Sequence, residues 1–474
     1  MKTIETTATD ATLERAAELA RAYVATLPTR AVAPTVPVEE LRRRFGGPLP
    51  DAGMDPVKVV EALAANAEGG LVASAGPRYF GFVIGGGVAA SVGADWLTTA
   101  WDQNAGLYVI GPAAAVAEEV AGAWLAELFG LPAGVSVGFT TGATMATFTG
   151  LAAGRHALLA RDGWDVERQG LFGAPEIPVI VSDESHVTIF AALQMLGMGR
   201  ERVTRIPADE QGRMRADALA EVLAGLDRPA LVCAQAGNVN TGAFDPLPAI
   251  EAAVHGHGGW LHVDGAFGLW AAAEPGRRHL VEGVGAADSW TTDAHKWLNV
   301  PYDSGLSFVA DAAAHHAAMT LGAAYYVETS GAERDPYNWV AESSRRARGF
   351  AVWAAVRQLG RDGLAEMIGR TSDLARRFAA GVEGLPETRV LNDVVLNQVL
   401  VRFDDPSGDV AAGNRRTDAV IAAIQADGTL WLGGTQWHGL RAMRISVSGW
   451  STSEADVDAS LAVIRRISGE IPAG

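Results

Sequence analysis

Trp260-Leu261-His262-Val263-Asp264-Gly265-Ala266 is a short apolar run that ends on a carboxylate followed by two small residues. A run of this length and composition suits a strand buried on both faces. A helical stretch, 247–256, precedes it, and a second such run, 289–291, follows it. Outward from here the same alternation continues. Further candidate strands lie at 135–139, 179–181, 202–206, 230–234 and 306–309, and candidate helices at 144–161, 187–197 and 215–225. Strands alternating with alanine-rich helices predict the α/β class, with seven strands in a mostly parallel sheet covered on both faces. Ligands of such sheets bind outside the carboxyl ends of the strands. The residues just after each run are therefore where chemistry is expected.

Four of these strand ends carry groups that fit one another. After 135–139 comes Thr140-Thr141-Gly142-Ala143-Thr144, small residues and hydroxyls opening a helix, where backbone N–H groups and the helix dipole favour an anion such as a phosphate. The run 179–181 leads into Ser182-Asp183-Glu184-Ser185-His186, and His186 is placed to stack on a planar ring. Asp264 is a carboxylate at a buried strand end, costly unless paired, and a protonated pyridine nitrogen would pair it. Gly265 and Ala266 leave room there for a flat ring. After 289–291 comes Thr292-Asp293-Ala294-His295-Lys296-Trp297, and Lys296 is a candidate for imine formation with a carbonyl cofactor. Taken singly, each has an ordinary reading as a helix cap, a structural histidine, a turn cap or a surface lysine. Together, in this order, they predict a pyridoxal 5′-phosphate (PLP) site.

The rest of the chain bounds this reading. Its 474 residues suggest two or three units at roughly 150 residues each. The first region, with helical stretches at 11–27 and 56–67 and extended structure after Pro28, Pro34 and Pro37, is too linear to fold alone and reads as an arm. After about 345, helical stretches at 345–380, 416–425 and 453–467 flank strands in 390–403 and 441–447, a smaller α+β unit. A formal net charge of −17 and no basic stripe argue against nucleic acid and anionic membranes as partners. The single cysteine, Cys233, excludes an internal disulfide framework, and no run reaches the length of a spanning helix. Met1-Lys2-Thr3-Ile4-Glu5 lacks the pattern of a secretory leader, so a soluble cytoplasmic protein is expected.

At these positions the chain resembles the group II PLP-dependent amino-acid decarboxylases, which include aromatic-amino-acid, glutamate, tyrosine and diaminobutyrate decarboxylases. Asp293-Ala294-His295-Lys296-Trp297-Leu298 is similar to the family's Asn-Pro-His-Lys-Trp segment, and Leu261-His262-Val263-Asp264-Gly265-Ala266 to its His-Val-Asp-Ala-Ala. Gly237-Asn238-Val239-Asn240-Thr241-Gly242-Ala243-Phe244-Asp245 and Pro77-Arg78-Tyr79-Phe80 resemble two further family segments. The resemblance implies a fold-type I, aspartate aminotransferase-like enzyme: an N-terminal arm (1–85), a large cofactor domain (86–345) and a small α+β domain (346–474). It implies a homodimer with active sites at the subunit interface, acting on an amino acid as its small-molecule substrate. By the same resemblance Lys296 forms the Schiff base, His186 stacks over the ring and Asp264 faces its nitrogen. Gly142, Ala143, Thr144 and His295 would hold the phosphate, with Ala266 beside the ring. Arg444 would bind the substrate's carboxylate, and Tyr79, Phe80 and Asn104 would lie on the substrate side. Tyr325 would protonate the carbanion left after CO₂ departs. Three positions depart from the family pattern: Asp293 replaces the asparagine and Ala294 the proline, which bears on the phosphate contacts, and Met145 stands where a glutamate is common.

The activity implied is decarboxylation of an L-amino acid to its amine. Decarboxylation-dependent aldehyde synthesis and another carbon–carbon lyase reaction are the alternatives on the same scaffold, and tyrosine at 325 favours the first reading. Other classes fit less well. Gly85-Gly86-Gly87 lacks the third glycine of a dinucleotide loop, because Ala90 takes its place. Gly134-Val135-Ser136-Val137-Gly138 has the spacing of a nucleophile elbow but puts Ser136 in a strand. His255, His257 and His262 are not spaced as a metal set, so no metal is expected. A binding protein that kept the fold without catalysis is disfavoured, since every residue needed for imine chemistry is present.

Overall fold

The computed structural model describes residues 6–320 and 333–471. All seven runs form strands of one sheet: β1 (Ser136–Thr140), β2 (Val179–Ser182), β3 (Val203–Ile206), β4 (Leu231–Gln235), β5 (Trp260–Asp264), β6 (Ser289–Asp293) and β7 (Gly305–Val309). Their order is β1-β7-β6-β5-β4-β2-β3, and only β7 runs against the others. Six strands are buried along their whole length, which is why they read as unbroken apolar runs. The edge strand β3 is the exception, open over most of its length. Because β1, β2, β5 and β6 point the same way, Thr140, Ser182, Asp264 and Asp293 all finish at one edge of the sheet.

The helix Ala143–Arg161 lies close over the sheet because glycine stands where a side chain would collide. A Cβ on Gly150 would come 3.0 Å from the His262 ring, and one on Gly154 would come 2.8 Å from Trp260. His262 is fully buried there, its Nδ1 2.8 Å from Ser289 Oγ, and burial pushes the imidazole down to about 3. It is a neutral core group. His255 bridges Glu251 and Asp288, each at 2.9 Å, while His257 Nε2 meets the Arg228 carbonyl at 3.0 Å. Each of the three histidines thus has its own local partners.

A second sheet, all antiparallel, has the order β10-β11-β9-β8, from β8 (Thr388–Val390), β9 (Gln398–Phe403), β10 (Gly433–Trp437) and β11 (Leu440–Ser446). Strand β10 is a departure from the sequence expectation, because Gly433-Gly434-Thr435 has no strand composition. It is held by its hairpin partner: His438 and Gly439 both have positive φ, at 47° and 79°, the two-residue turn whose twist matches paired strands. Helices Val410–Asp427 and Glu454–Glu470, with the second half of Gly349–Glu383, bury the apolar face of this sheet. Gly360, at φ +60°, divides that long helix into two segments. Two helices not singled out from the sequence, Ala89–Trp101 and Pro112–Phe129, run between the arm and β1. In the arm, Pro37 caps the helix Val38–Phe45, so the proline-rich stretch is less extended than its composition suggests. Among the described residues no helix is long and apolar enough to cross a membrane.

One buried ion pair joins the pieces around β1. Arg345 makes a two-pronged contact with Glu118, at 2.8 and 3.0 Å, and donates as well to the carbonyls of Ala105 and Phe139, each at 2.7 Å. Both side chains are almost without solvent contact. Removing one charge strands the other in a medium that cannot solvate it. Glu118→Gln is therefore expected to cost about 3–5 kcal/mol of unfolding free energy, read as a lower denaturant midpoint at unchanged slope.

Candidate active site

Lys296 lies in the turn between β6 and β7, and that turn is pinned from three sides. Asn299, in the left-handed region at φ +57°, donates to the carbonyls of Trp297 (2.8 Å) and Ser448 (3.0 Å) and accepts from the Trp450 N–H at 2.9 Å. Gly85 passes so close that a Cβ there would sit 2.0 Å from the Lys296 carbonyl. The glycine run 85–87 is thus explained by a close backbone approach. The Lys296 ammonium points at the sheet edge and pairs with Asp293 at 2.9 Å.

Asp264 ends the neighbouring strand, 5% exposed, and its Oδ1 accepts the Ala266 N–H at 3.1 Å. No cation of the described residues pairs with it. Ala266 also stitches this turn to β6, its carbonyl accepting the Asp293 N–H at 2.9 Å. A nearly buried carboxylate with a backbone contact and no cation is open to a cationic partner from outside the chain.

His186 caps the helix Val187–Met195, with Nδ1 2.8 Å from Thr188 Oγ1. Burial lowers the imidazole below its ordinary value. Asp264 and Asp293 act against that shift, while Lys296 and Arg444 act with it. All four charged groups are thus within electrostatic reach of one ring. Arg444, on β11, comes to the site from the small sheet. It donates to the Val239 carbonyl at 2.9 Å, and no carboxylate of the described residues is within ion-pair distance. Burial pulls its guanidinium below the usual arginine value.

The expected phosphate cup is present as a helix N-terminus. Gly142 precedes Ala143, the first helical residue, and Thr144 is the second. Gly142 is packed against Gly305, where a Cβ would fall 2.5 Å from the Gly142 Cα. The Ala143 N–H donates to Asp293 Oδ1 at 2.6 Å, and His295 Nε2 lies 3.5 Å from the same oxygen. His295 Nδ1 accepts the Ser304 N–H at 3.1 Å, which leaves the ring proton on Nε2. Burial lowers this imidazole too.

Two substrate-side expectations are corrected. Phe80 is fully buried in the core of the small sheet, edge-on to Phe378 with ring centroids 4.9 Å apart, because the 78–80 segment pairs with Trp431. Asn104 spends its Oδ1 on the N–H groups of Gly106 (3.0 Å) and Arg345 (3.2 Å), holding a turn. Tyr79 is stacked on Trp431 with centroids 5.2 Å apart, and Phe82, exposed at φ +49°, is stacked on the same indole at 5.8 Å. Tyr302 stacks on His295 at 4.3 Å. Phe82, Trp431, Tyr302 and Asn299 were not singled out from the sequence: the Trp431 contacts depend on chain pairing across the fold, and Asn299 and Tyr302, in the Lys296 turn itself, carry no motif. Tyr325 lies outside the described residues.

These features fit PLP: a carboxylate for a ring nitrogen with no cation among the described residues, a half-buried lysine, an imidazole within reach of both, and a helix N-terminus for phosphate. The comparisons agree. Residues 39–404 match the pyridoxal-dependent decarboxylase conserved domain. The chain is 26% identical over 385 residues to an aromatic-L-amino-acid decarboxylase of Bacillus atrophaeus, covering 80% of this chain and 78% of that one. It is 32% identical over 333 residues to an L-2,4-diaminobutyrate decarboxylase of Rhizobium meliloti (strain 1021), covering 69% and 62%. The fold matches the crystal structure of Oryza sativa TDC with PLP and tryptamine, with a TM-score of 0.91 at 23% identity over 99% of both chains. With a sheet, a cofactor site and a domain match that agree, the chain belongs to the pyridoxal-dependent decarboxylases, PLP-dependent carboxy-lyases that act on amino acids.

Proposed function

We propose that Lys296, Asp264, His186 and Arg444 form the working centre of this amino-acid decarboxylase, in a cytoplasmic homodimer. When bound, the cofactor supplies an electron sink for the bond that breaks at the substrate's α-carbon. Lys296 holds it through Nζ, Asp264 keeps a proton on the ring nitrogen, and His186 covers one face of the ring. Gly142, Ala143, Thr144 and His295 hold the phosphate, and Ala266 leaves room for the ring. Arg444 takes the substrate's carboxylate and so helps to choose which bond stands across the ring. The support that weighs most is Asp264: a nearly buried carboxylate with no cation among the described residues, one strand from Lys296.

On this reading Lys296→Ala loses both the visible absorbance of the bound cofactor and CO₂ release from an L-amino-acid panel. Asp264→Asn keeps the cofactor but loses about 10²–10³-fold in kcat, as removal of a preorganised electrostatic partner does. Full activity in Lys296→Ala would end the assignment.

Tyr325 is proposed from the sequence as the acid that protonates the α-carbon once CO₂ has left. With that proton source removed, the electron-rich centre is left to react with dioxygen. Tyr325→Phe is expected to lower amine yield and to raise aldehyde, with ammonia and peroxide, in an assay that measures all of them. Unchanged amine yield would remove Tyr325 from the mechanism.

The dimer is supported by what the arm leaves uncovered. Helices Val38–Phe45 and Pro56–Ala67 contain no buried residue, and Phe45, Leu49, Val59 and Leu63 are all exposed, Leu49 at 93%. We read 1–85 as an arm that meets the partner, 86–345 as the cofactor domain and 346–474 as the small domain that brings Arg444. Large apolar side chains left open along one segment favour an interface. Leu63→Glu is expected to turn a dimer into a monomer by light scattering; a wild-type chain that is monomeric at micromolar concentration would count against the dimer.

A further inference from the structure

The anchor groups expected to hold the cofactor's phosphate already face an anion of the chain's own. Asp293 Oδ1 takes the Ala143 N–H at 2.6 Å and lies 3.5 Å from His295 Nε2, while Oδ2 pairs with Lys296 Nζ at 2.9 Å. The carboxylate is 2% exposed, so water does little to screen it. It is held in place by the fold. The Asp293 N–H is bonded to the Ala266 carbonyl, and its own carbonyl accepts the Trp270 indole N–H at 3.2 Å. A cofactor phosphate carries close to two negative charges above its second pKa of about 6. Its arrival at Ala143 puts two acids of like sign around one helix N-terminus. When Lys296 turns to the cofactor, Asp293 also loses undivided hold of its one cation.

Two like-charged acids at one buried site do not both stay ionised; one proton is taken up and shared. We propose that Asp293 is a proton-linked gate on cofactor binding: its carboxylate fills the phosphate cup of the cofactor-free chain, and phosphate binds with uptake of one proton from solvent into the Asp293–phosphate pair. The inference rests on the phosphate lying at Ala143. Asp293 acts as a positioning residue through the cup and does not touch the bond that breaks.

The test uses ligands that form no imine, so that the titration of Lys296 amine chemistry stays out of the measurement. Pyridoxine 5′-phosphate and pyridoxine are titrated into the full-length apoenzyme at pH 8 by calorimetry, in buffers of different ionisation enthalpy. The slope of heat against that enthalpy counts protons. Any proton taken by the ring nitrogen beside Asp264 is common to both ligands and cancels in their difference. The expected difference is about one proton for the wild type and about none for Asp293→Asn. The affinity of the wild type for the phosphorylated ligand should then fall by up to tenfold per unit rise in pH. Asp293→Asn should bind that ligand about tenfold more tightly at pH 8, with pyridoxine affinity little changed.

Equal proton counts for the two ligands in the wild type would overturn the proposal, whether or not the variant folds. So would an Asp293→Asn protein that keeps the difference, or that binds pyridoxine 5′-phosphate no more tightly. If the wild type binds neither ligand, the cofactor site itself is misplaced and the proposal falls with it.

Discussion

Two carboxylates, Asp264 and Asp293, end neighbouring parallel strands in a part of the sheet that water hardly reaches. A buried carboxylate is expensive unless a donor or a cation meets it, and the local structure around this edge answers that requirement. Asp293 collects the Ala143 N–H, the Lys296 ammonium and the approach of His295. In doing so it ties the start of the helix after β1 to the turn after β6. Among the described residues the Asp264 carboxylate receives only the Ala266 N–H and is left one charge short. The difference between the two defines the site. The first acid organises the protein, and the second is available to a ligand.

The sequence carried the large sheet well because its strands are buried on both faces, so they appear as apolar runs that need no partner to be recognised. The residues at their ends could be placed in one region by topology alone. What sequence could not carry was anything decided by a distant partner. Phe80 and Tyr79 are adjacent in the chain, yet one is sealed against Phe378 and the other stacks on Trp431, a split set by pairing across some 350 residues. Strand β10 exists because a left-handed turn returns it onto β11, not because of its own residues. Asn104 has a polar side chain in a segment expected to face substrate, but its oxygen is taken by two backbone N–H groups. Gly85 belongs to a run that resembles a nucleotide loop only by composition. Its real reason is the Lys296 carbonyl.

The small sheet contributes more than a lid-like mass behind the site. Its strand β11 delivers Arg444 to the His186 ring, and residues 448–450 hold Asn299, which in turn fixes the backbone of the Lys296 turn. The Lys296 turn and the small-sheet segment are therefore coupled by one asparagine whose side chain reaches both. A change in how the small sheet packs would be felt at Lys296 before it was felt at β5.

Charge pairing separates structural from functional ions in this molecule. Arg345 and Glu118 are as buried as any groups at the site, but each is answered by the other, and the two terminal nitrogens of the guanidinium also reach the carbonyls of Ala105 and Phe139. The two charges are spent on each other. Arg444 and Asp264 are the opposite case, a cation and an anion near the same imidazole, each held by backbone contacts and neither paired with the other. Keeping them apart costs stability, because two opposite charges in a low dielectric gain by meeting. On the proposed reading, a fold that holds them separately is preorganised for a ligand with complementary charge at both ends: a carboxylate for Arg444 and a protonated ring for Asp264. An amino acid joined to a pyridinium cofactor has that distribution.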